Sequence, residues 1–391
     1  MDAICESELL AKIEKNLQWN LVAFVVTPWA AHGVDAFIEY MNDCGIQPNG
    51  TICVIKHGQA GYLVDCDHFS FSSKDVHICT LTNSTMKLPI VKKIKMKLNM
   101  YVNNIVAKQK GNRNIYILNQ GSMNYEWHAR LKKLKDGRIA RSVIIDEGIG
   151  MYMRDKKTWI KEDCSNASSL KEKLSIVVSR YVVNPLMQKR LSSEGELMNF
   201  SILQRNTKNE LISNEVSVKY YKTVIHRLGI RENIEQLSIY ENAIVVNTQP
   251  FYEYNQVFED EDIQIIQRLC ELCAQKGIKV VLKPHPREKN IDRYNILKNC
   301  WIDDRKGITQ ESIISQLTIK PKAIVGFSST TLISERVFDE IPAISLIRCV
   351  NIQNIETKMR ADFIDFERNF KRFASFPQNW EELDDCLDSL K

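Results

Sequence analysis

The 391-residue sequence contains no run of eighteen apolar residues, and this absence predicts that no helix crosses a membrane. Residues 1–20 mix acidic and basic side chains and lack the basic-then-apolar pattern of a secretion signal. The eleven cysteines are odd in number and have no regular spacing, which favours a reducing compartment over a disulfide framework. We therefore expect a cytoplasmic protein.

Several signatures of nucleotide enzymes and hydrolases are also missing. No GxGxxG follows an early strand, no GxxxxGK(S/T) loop is present and no GxSxG elbow occurs. Cys270 and Cys273 form a CxxC within a helical pattern, and no second CxxC or histidine pair completes a zinc site. No ligand cluster demands a divalent cation, so we expect neither a metal nor a cofactor.

Positive charge is concentrated in one stretch, although the formal net charge of +5 is modest. The stretch Lys87–Arg113 holds eight lysines or arginines and no acid, interleaved with apolar residues. This pattern fits either a solvated helix face or a basic face for an anionic membrane surface or a polyanionic acceptor. No stacking aromatic pattern or nucleic-acid module accompanies it, so we expect no nucleic acid partner.

Short apolar runs alternate with longer amphipathic stretches, which is the pattern of an α/β protein. The predicted strands form two series, over residues 21–26, 51–55, 114–118, 142–145 and 175–178, then 243–247, 279–282, 323–326 and 343–346. A helix over 215–228, with Gly229 as its cap, separates the series. We predict Rossmann-like domains over 1–235 and 236–378, and a C-terminal helix over 379–391 that could pack back on the first domain.

The most constrained polar residue is His285, in the turn Lys283-Pro284-His285-Pro286 after the predicted strand 279–282. Both prolines stiffen this turn. Ligands of open α/β sheets bind at the carboxyl ends of the strands. A functional histidine is therefore favoured over a buried structural one, and Lys283 and Arg287 add positive charge that suits a phosphate.

A cluster of hydroxyl groups follows another predicted strand. Ser328, Ser329 and Thr330 come directly after 323–326 and open a predicted helix. Free backbone N–H groups and the positive end of the helix dipole make such a place an anion site. Simple capping of the helix by a hydroxyl side chain is the alternative.

Two strand ends in the N-terminal half also carry candidate residues. Asp146 and Glu147 follow the strand 142–145, and Gly148 allows close approach of a ligand. A carboxylate there is either a general base or a helix cap. The segment from Thr27 to Gly33 follows the first strand, where small residues let a helix begin near a ligand or simply form a turn.

Together these residues resemble the motifs of bacterial sialyltransferases, in the same order along the chain. The matching segments are Asp146-Glu147-Gly148 for the acidic motif, His285-Pro286 for the HP motif and Ser328-Ser329 for the Ser/Thr-rich motif. Thr27-Pro28 resembles a turn of the lipooligosaccharide sialyltransferases, and Gln249-Pro250 one that they share with the polysialyltransferases.

The resemblance implies a GT-B fold, in which two Rossmann-like domains face each other across a cleft. It implies an inverting, metal-independent transfer of sialic acid from CMP-sialic acid to a sugar hydroxyl of a capsule or lipooligosaccharide. The enzyme is then expected in the cytoplasm, with Lys87–Arg113 as a possible contact to the inner membrane face.

Roles for single residues follow from the same resemblance. Asp146 is implied as the general base, with support from Glu147 and Gly148, and His285 as the acid or electrostatic stabiliser of the leaving group. The residues implied to bind substrate are Thr27, Gln249, Lys283, Pro286, Ser328, Ser329 and Thr330, with Glu311 on the ribose of CMP.

Two other readings of the sequence stay open. One is another nucleotide-activated transferase of GT-B type, such as a CDP-glycerol glycerophosphotransferase or a CMP-Kdo transferase. The other is a non-catalytic protein that binds a glycan or a nucleotide sugar. The Asp146-Glu147-Gly148 segment argues against the first, and the intact set of Asp146, His285 and Ser328 argues against the second.

Overall fold

The computed structural model describes most of the chain. The described residues are 1–55, 64–71, 73–82, 99, 102, 109–119, 123–134, 136–146, 148, 152, 164–165, 169–203, 212–232, 235, 237–251, 260–305, 308–349 and 357–390. They form two compact units, one of Met1–Gly148 with Asp155–Val224 and one of Ile149–Arg154 with Ile225–Lys391.

The first unit contains a seven-stranded sheet in which every neighbouring pair is parallel. Its strands are β1 (Asp2–Cys5), β2 (Leu21–Val25), β3 (Gly50–Ile55), β4 (Val76–Thr82), β5 (Arg113–Asn119), β6 (Arg138–Ile145) and β7 (Leu197–Phe200). The described helices of this part are α1 (Glu6–Lys15), α2 (Pro28–Asp43), α3 (Met123–Lys132), α4 (Leu170–Val178), α5 (Asn184–Ser193) and α6 (Asn214–Glu232).

The second unit contains a five-stranded parallel sheet. Its strands are β8 (Ile244–Asn247), β9 (Val280–Lys283), β10 (Trp301–Ile302), β11 (Ala323–Gly326) and β12 (Ala343–Ser345). Its described helices are α7 (Glu261–Gln275), α8 (Gln310–Ser315), α9 (Thr330–Asp339), α10 (Thr357–Phe370) and α11 (Trp380–Asp388).

Both sheets have the Rossmann strand order. The first runs β1-β4-β3-β2-β5-β6-β7, which is the order 3-2-1-4-5-6 with β1 added at one edge. The second runs β10-β9-β8-β11-β12, the same order with one strand fewer. The order reverses between β2 and β5 and between β8 and β11. The prediction of an α/β protein with two Rossmann-like units is confirmed.

The central strands are buried because helices cover both faces of a parallel sheet. All five residues of β2 and all four of β8 are buried. Phe24 of β2 packs on Trp127 of α3 with ring centroids 5.0 Å apart. In the described part of the chain, no helix is long and apolar enough to cross a membrane.

Most predicted strands agree with the structure to within about two residues, which is the usual uncertainty of an element boundary. The strand predicted over 175–178 is wrong, since these residues lie in α4. The strands β1, β4, β7 and β10 were not predicted. Most of the basic stretch Lys87–Arg113 lies outside the described residues.

The link between the units also differs from the prediction. The division falls between Val224 and Ile225 inside α6, and not at residue 235. Gly229 does not end this helix; a Cβ at Gly229 would lie 2.5 Å from the Ser312 carbonyl oxygen, so the glycine allows close packing on α8.

The C-terminal helix begins at a capping residue and contacts the second unit. The Asn379 side chain accepts the Glu382 N–H at 2.9 Å. Lys276 forms ion pairs with Asp384 and Asp388 at 3.0 and 2.8 Å. Packing of this helix on the first unit stays a prediction.

Candidate active site

The second sheet reverses its strand order between the neighbouring strands β8 and β11. Ligands of open α/β sheets bind at such a point, outside the carboxyl ends of the strands. The two strand ends approach closely here because Gly326 has no side chain. A Cβ at Gly326 would lie only 3.1 Å from the Asn247 carbonyl oxygen.

Gln249 and Ser328 follow these two strands, and their side chains meet. The Gln249 Nε2 donates to the Ser328 carbonyl oxygen at 2.5 Å and lies 3.1 Å from Ser328 Oγ. The Ser328 hydroxyl lies 3.2 Å from Gln249 Oε1. The structure therefore joins two sequence-predicted residues that are far apart in the chain, at the place where a ligand is expected.

Ser329 caps α9, as the alternative reading of the hydroxyl cluster predicts. Its Oγ accepts the Thr331 N–H at 3.3 Å, and Thr330 is the first helical residue. Capping and anion binding are compatible, because one side chain satisfies only one of the N–H groups at a helix start. Ser328, Ser329 and Thr330 are all half-buried.

His285 lies just past β9, next to β8, in a turn with defined hydrogen bonds. Its Nδ1 accepts the Arg287 N–H at 3.1 Å. Because a backbone N–H can only donate, a neutral imidazole in this position carries its proton on Nε2. The turn therefore sets His285 as an Nε2–H donor. Pro284 is buried, whereas Pro286 is exposed.

A buried carboxylate that the sequence analysis missed holds this turn. Glu288 Oε2 accepts the His285 N–H at 2.8 Å and also the Thr248 hydroxyl. Glu288 Oε1 accepts the Tyr294 hydroxyl at 2.6 Å. The Thr248 Oγ1 accepts the same His285 N–H at 2.9 Å. The signal in the sequence was an acid three residues after the histidine, the spacing at which a carboxylate reaches back to a backbone N–H.

Lys283 has a structural partner in this unit. Its buried ammonium lies 3.3 Å from Asp303 Oδ2 and donates to the Arg305 carbonyl oxygen at 2.7 Å. Burial lowers the pKa of Lys283. Burial opposes ionisation of Asp303 too, but hydrogen bonds from Arg305 and Tyr240 lower its pKa to about 2. The substrate-binding role of Lys283 stays a prediction.

Glu311 is buried between α8 and α9. Its Oε1 accepts the Ser334 hydroxyl at 2.8 Å, and burial raises its pKa. The carboxyl thus contacts α9, the helix that has the hydroxyl cluster at its start. Its role toward the ribose stays a prediction.

Asp146 lies at the carboxyl end of β6 in the first unit and is fully buried. Its Oδ2 accepts the Ile202 N–H at 2.6 Å, and its backbone N–H donates to the Tyr221 hydroxyl at 3.3 Å. Gly148 has a φ of 109°, a conformation that favours glycine. Glu147 lies outside the described residues.

The turn after β2 shows helix capping and close packing. The Thr27 Oγ1 accepts the Ala30 N–H at 3.2 Å, so Thr27 is the cap of α2. A Cβ at Gly33 would lie 2.4 Å from the Tyr221 hydroxyl. Gly33 therefore makes room for the tyrosine that bonds Asp146, and the substrate role of Thr27 stays a prediction.

Two successive units with the Rossmann strand order, and polar groups at the carboxyl ends of their strands, define an α/β protein of the GT-B class. The model of the family "Alpha-2,8-polysialyltransferase (POLYST)" matches residues 22–348. Because this match covers most of the chain, the protein belongs to the alpha-2,8-polysialyltransferase family. It is a glycosyltransferase, and the family supports sialyltransferase activity with a nucleotide-sugar donor and a glycan acceptor. The resemblance to sialyltransferases is confirmed.

No curated relative matches the sequence. Among solved structures, the chain is similar to a putative UDP-N-acetylglucosamine 2-epimerase from Listeria monocytogenes, with 10% identity, a TM-score of 0.49, and coverage of 95% of this chain and 87% of that one. It is similar to a sialyltransferase from Photobacterium damsela, with 10% identity, a TM-score of 0.47, and coverage of 92% and 81%. Both TM-scores fall below 0.5, so these likenesses assign no activity.

Proposed function

We propose that the protein is an inverting sialyltransferase that moves sialic acid from CMP-sialic acid to a sugar hydroxyl of a bacterial surface glycan. The observation that carries this proposal is the placement of Gln249, Ser328 and His285 at the carboxyl ends of neighbouring strands in the second sheet. These donors suit the phosphate of a departing nucleotide, and the chain belongs to a family of sialyltransferases.

On the donor side, the leaving group is cytidine monophosphate, whose phosphate gains negative charge as the glycosidic bond breaks. We propose that the Nε2–H of His285 donates a hydrogen bond to this phosphate. The N–H groups at the start of α9 and the Ser328 hydroxyl add further donors. A neutral Nε2–H imidazole stabilises charge without giving up its proton, so His285 acts as an electrostatic stabiliser in this geometry.

On the acceptor side, the nucleophile is a neutral hydroxyl with a high pKa, and it needs a base within hydrogen-bond reach. We propose Asp146 for this role, with Gly148 shaping the turn that follows it. The carboxylate is buried and bonded to the Ile202 N–H. Catalysis by Asp146 therefore requires its carboxylate to become accessible to the acceptor hydroxyl.

The family description names an α2,8 linkage and a polymer, and from these we propose the acceptor. Transfer to the terminal sialic acid of a growing chain, with an α2,8 linkage, builds a polysialic acid polymer. Mass spectrometry of products made on an acceptor panel, with sialylated and neutral oligosaccharides, tests this extension. A ladder of products on sialylated acceptors is expected; single additions on lactose alone would contradict polymer synthesis.

The reaction itself is tested by incubating the protein with CMP-sialic acid, sialylated oligosaccharide and EDTA. We expect CMP release coupled to product formation, with equal rates in EDTA and in magnesium, because protein donors neutralise the phosphate in this proposal. A rate that depends on added magnesium argues against metal independence. Failure with every acceptor and both ion conditions argues against the reaction.

A further inference from the structure

An apolar stripe lies exposed on one helix of the first unit. The segment 170–193 is continuous, because a π-helical turn over Ser179–Val183 joins α4 to α5. Six large apolar side chains of this segment are between 40% and 84% exposed, and they are Leu170, Leu174, Val178, Tyr181, Val182 and Leu186. Single exposed apolar residues are ordinary, but a contiguous set marks an interaction surface.

The π turn places the six exposed apolar side chains on the same side of the helix axis. In an unbroken α-helix at about 100° per residue, Leu186 would lie about 160° around the axis from Leu170. A π turn advances less per residue, because its hydrogen bond closes at i+5 instead of i+4. With the turn at Ser179–Val183, the six side chains fall within an arc of about 120°.

A second apolar face anchors the same segment to the protein. Val183, Met187 and Leu191 are buried, and they lie on the side away from the stripe. The exposed residues are therefore not needed to hold the helix in place. The segment has one face for its own unit and another for a partner.

The charge of the segment indicates the partner. Residues 170–193 include five basic residues and one acid. Arg190 pairs with Glu194 at 2.7 Å, whereas Lys173 and Lys189 are exposed. An apolar face flanked by lysines and arginines is typical of helices that lie in the interface of an anionic bilayer. We propose that 170–193 is a membrane-surface helix that inserts its stripe among anionic lipids.

Charge also argues against a second copy of the chain as the occupant. Two copies that paired through this face would bring the net positive charge of both segments together, and like charges oppose such a contact. An anionic lipid surface neutralises that charge instead. The proposal goes beyond the transfer reaction and does not depend on it.

The test uses the full chain and sedimentation with vesicles. One set holds equal amounts of phosphatidylglycerol and phosphatidylcholine, and the other holds phosphatidylcholine alone. The double variant Leu174→Ser with Val182→Ser should bind the anionic vesicles about tenfold more weakly, because two apolar side chains no longer enter the interface. The matched control, Ile296→Ser with Ile364→Ser, removes exposed apolar residues elsewhere and should bind as the wild type does.

Two further measurements separate the alternatives. Wild-type unfolding temperature in both double variants shows that the fold survives. Replacement of Lys92, Lys93 and Lys95 by Gln tests the basic stretch; if only this variant loses binding, the helix is not the anchor. Unchanged binding by Leu174→Ser with Val182→Ser overturns the proposal. So does a change from oligomer to monomer in that variant with lipid binding intact.

Discussion

Glu288 is the residue on which the geometry of the histidine turn depends most. Three hydrogens converge on its carboxylate, from the His285 backbone N–H and from the hydroxyl groups of Thr248 and Tyr294. An amide in this place offers one oxygen and brings two hydrogens of its own. Glu288→Gln therefore leaves a buried donor without an acceptor and loosens the turn.

We expect Glu288→Gln to lose about 1–3 kcal/mol of stability and to reduce kcat more than it changes KM for the donor. Chemical denaturation and initial rates measure the two effects. Tyr294→Phe is the matched control, since it removes one hydroxyl donor and keeps the carboxylate; it should cost about 1 kcal/mol and little activity. Equal kcat losses in both variants would mean that Glu288 only stabilises the fold.

This residue also shows why part of the site was not predicted. His285, Ser328 and Gln249 stand out in the sequence because they follow apolar runs that end in proline, glycine or hydroxyl residues. Glu288 lies in a polar stretch that resembles an exposed turn. Its burial depends on Thr248 and Tyr294, which only the folded chain brings to it.

At the scale of elements, α2 and α6 pack so closely on β6 that one position must be glycine. A Cβ at Gly33 would lie 2.4 Å from the Tyr221 hydroxyl oxygen and 3.3 Å from the Ile145 Cβ. The tyrosine bonds the Asp146 backbone N–H, so its displacement also disturbs the end of β6. Gly33→Ala should therefore destabilise the protein although alanine favours a helix.

A double-mutant cycle measures this contact. Gly33→Ala alone is expected to cost about 1–3 kcal/mol through overpacking. In a Tyr221→Phe background the atom nearest to the new Cβ is the ring Cζ of residue 221, at 3.2 Å. The higher helix propensity of alanine stabilises the helix by about 1 kcal/mol. In this background Gly33→Ala should therefore be close to neutral. Additive losses in thermal unfolding would show that the two residues do not interact.

Elements were predicted correctly where their own sequence determines their conformation, and wrongly where the surrounding structure determines it. Central strands such as β8 and β11 are buried on both faces, and their apolar runs are visible in the sequence. The segment 175–178 has the composition of a strand but lies in α4, where the surrounding helix decides its conformation. The edge strand β1 is short and only partly buried, so it lacks such a run.

At the scale of a whole unit, a buried polar cluster makes the first unit sensitive to acid. His128 is fully buried, with Nδ1 3.0 Å from Ser142 Oγ and Nε2 2.9 Å from Glu196 Oε2. Lys132 also pairs with Glu196, at 2.8 Å. Burial lowers the pKa of His128. Burial opposes ionisation of Glu196, but hydrogen bonds from His128 and Lys132 lower its pKa to about 2.

Both shifts reduce stability as the pH falls. The unfolded chain binds a proton on His128 more readily, so stability is lost below the usual histidine pKa of 6.5, by up to about 1.4 kcal/mol per pH unit. The contribution of Glu196 is present above its usual pKa of 4.5 and is lost as the pH falls toward 2. Thermal unfolding between pH 7 and pH 5 should show the first loss, and His128→Gln should flatten it. An equal slope in this variant would assign the loss to other groups.

Across the whole molecule, the donor groups His285 and Ser328 belong to the second unit, whereas the proposed base Asp146 belongs to the first. Cytidine monophosphate should therefore stabilise the protein through the second unit alone, by about 2.7 kcal/mol at 100 times its dissociation constant.

The variant Asp146→Asn should keep this stabilisation, because its amide oxygen can still accept the Ile202 N–H. Its transfer rate should fall by at least about 100-fold, because the amide is not a base. The variant His285→Ala should lose both the stabilisation by cytidine monophosphate and the transfer activity. Normal turnover in Asp146→Asn would remove it as the base, and a lost nucleotide effect in that variant would contradict the division of roles between the units.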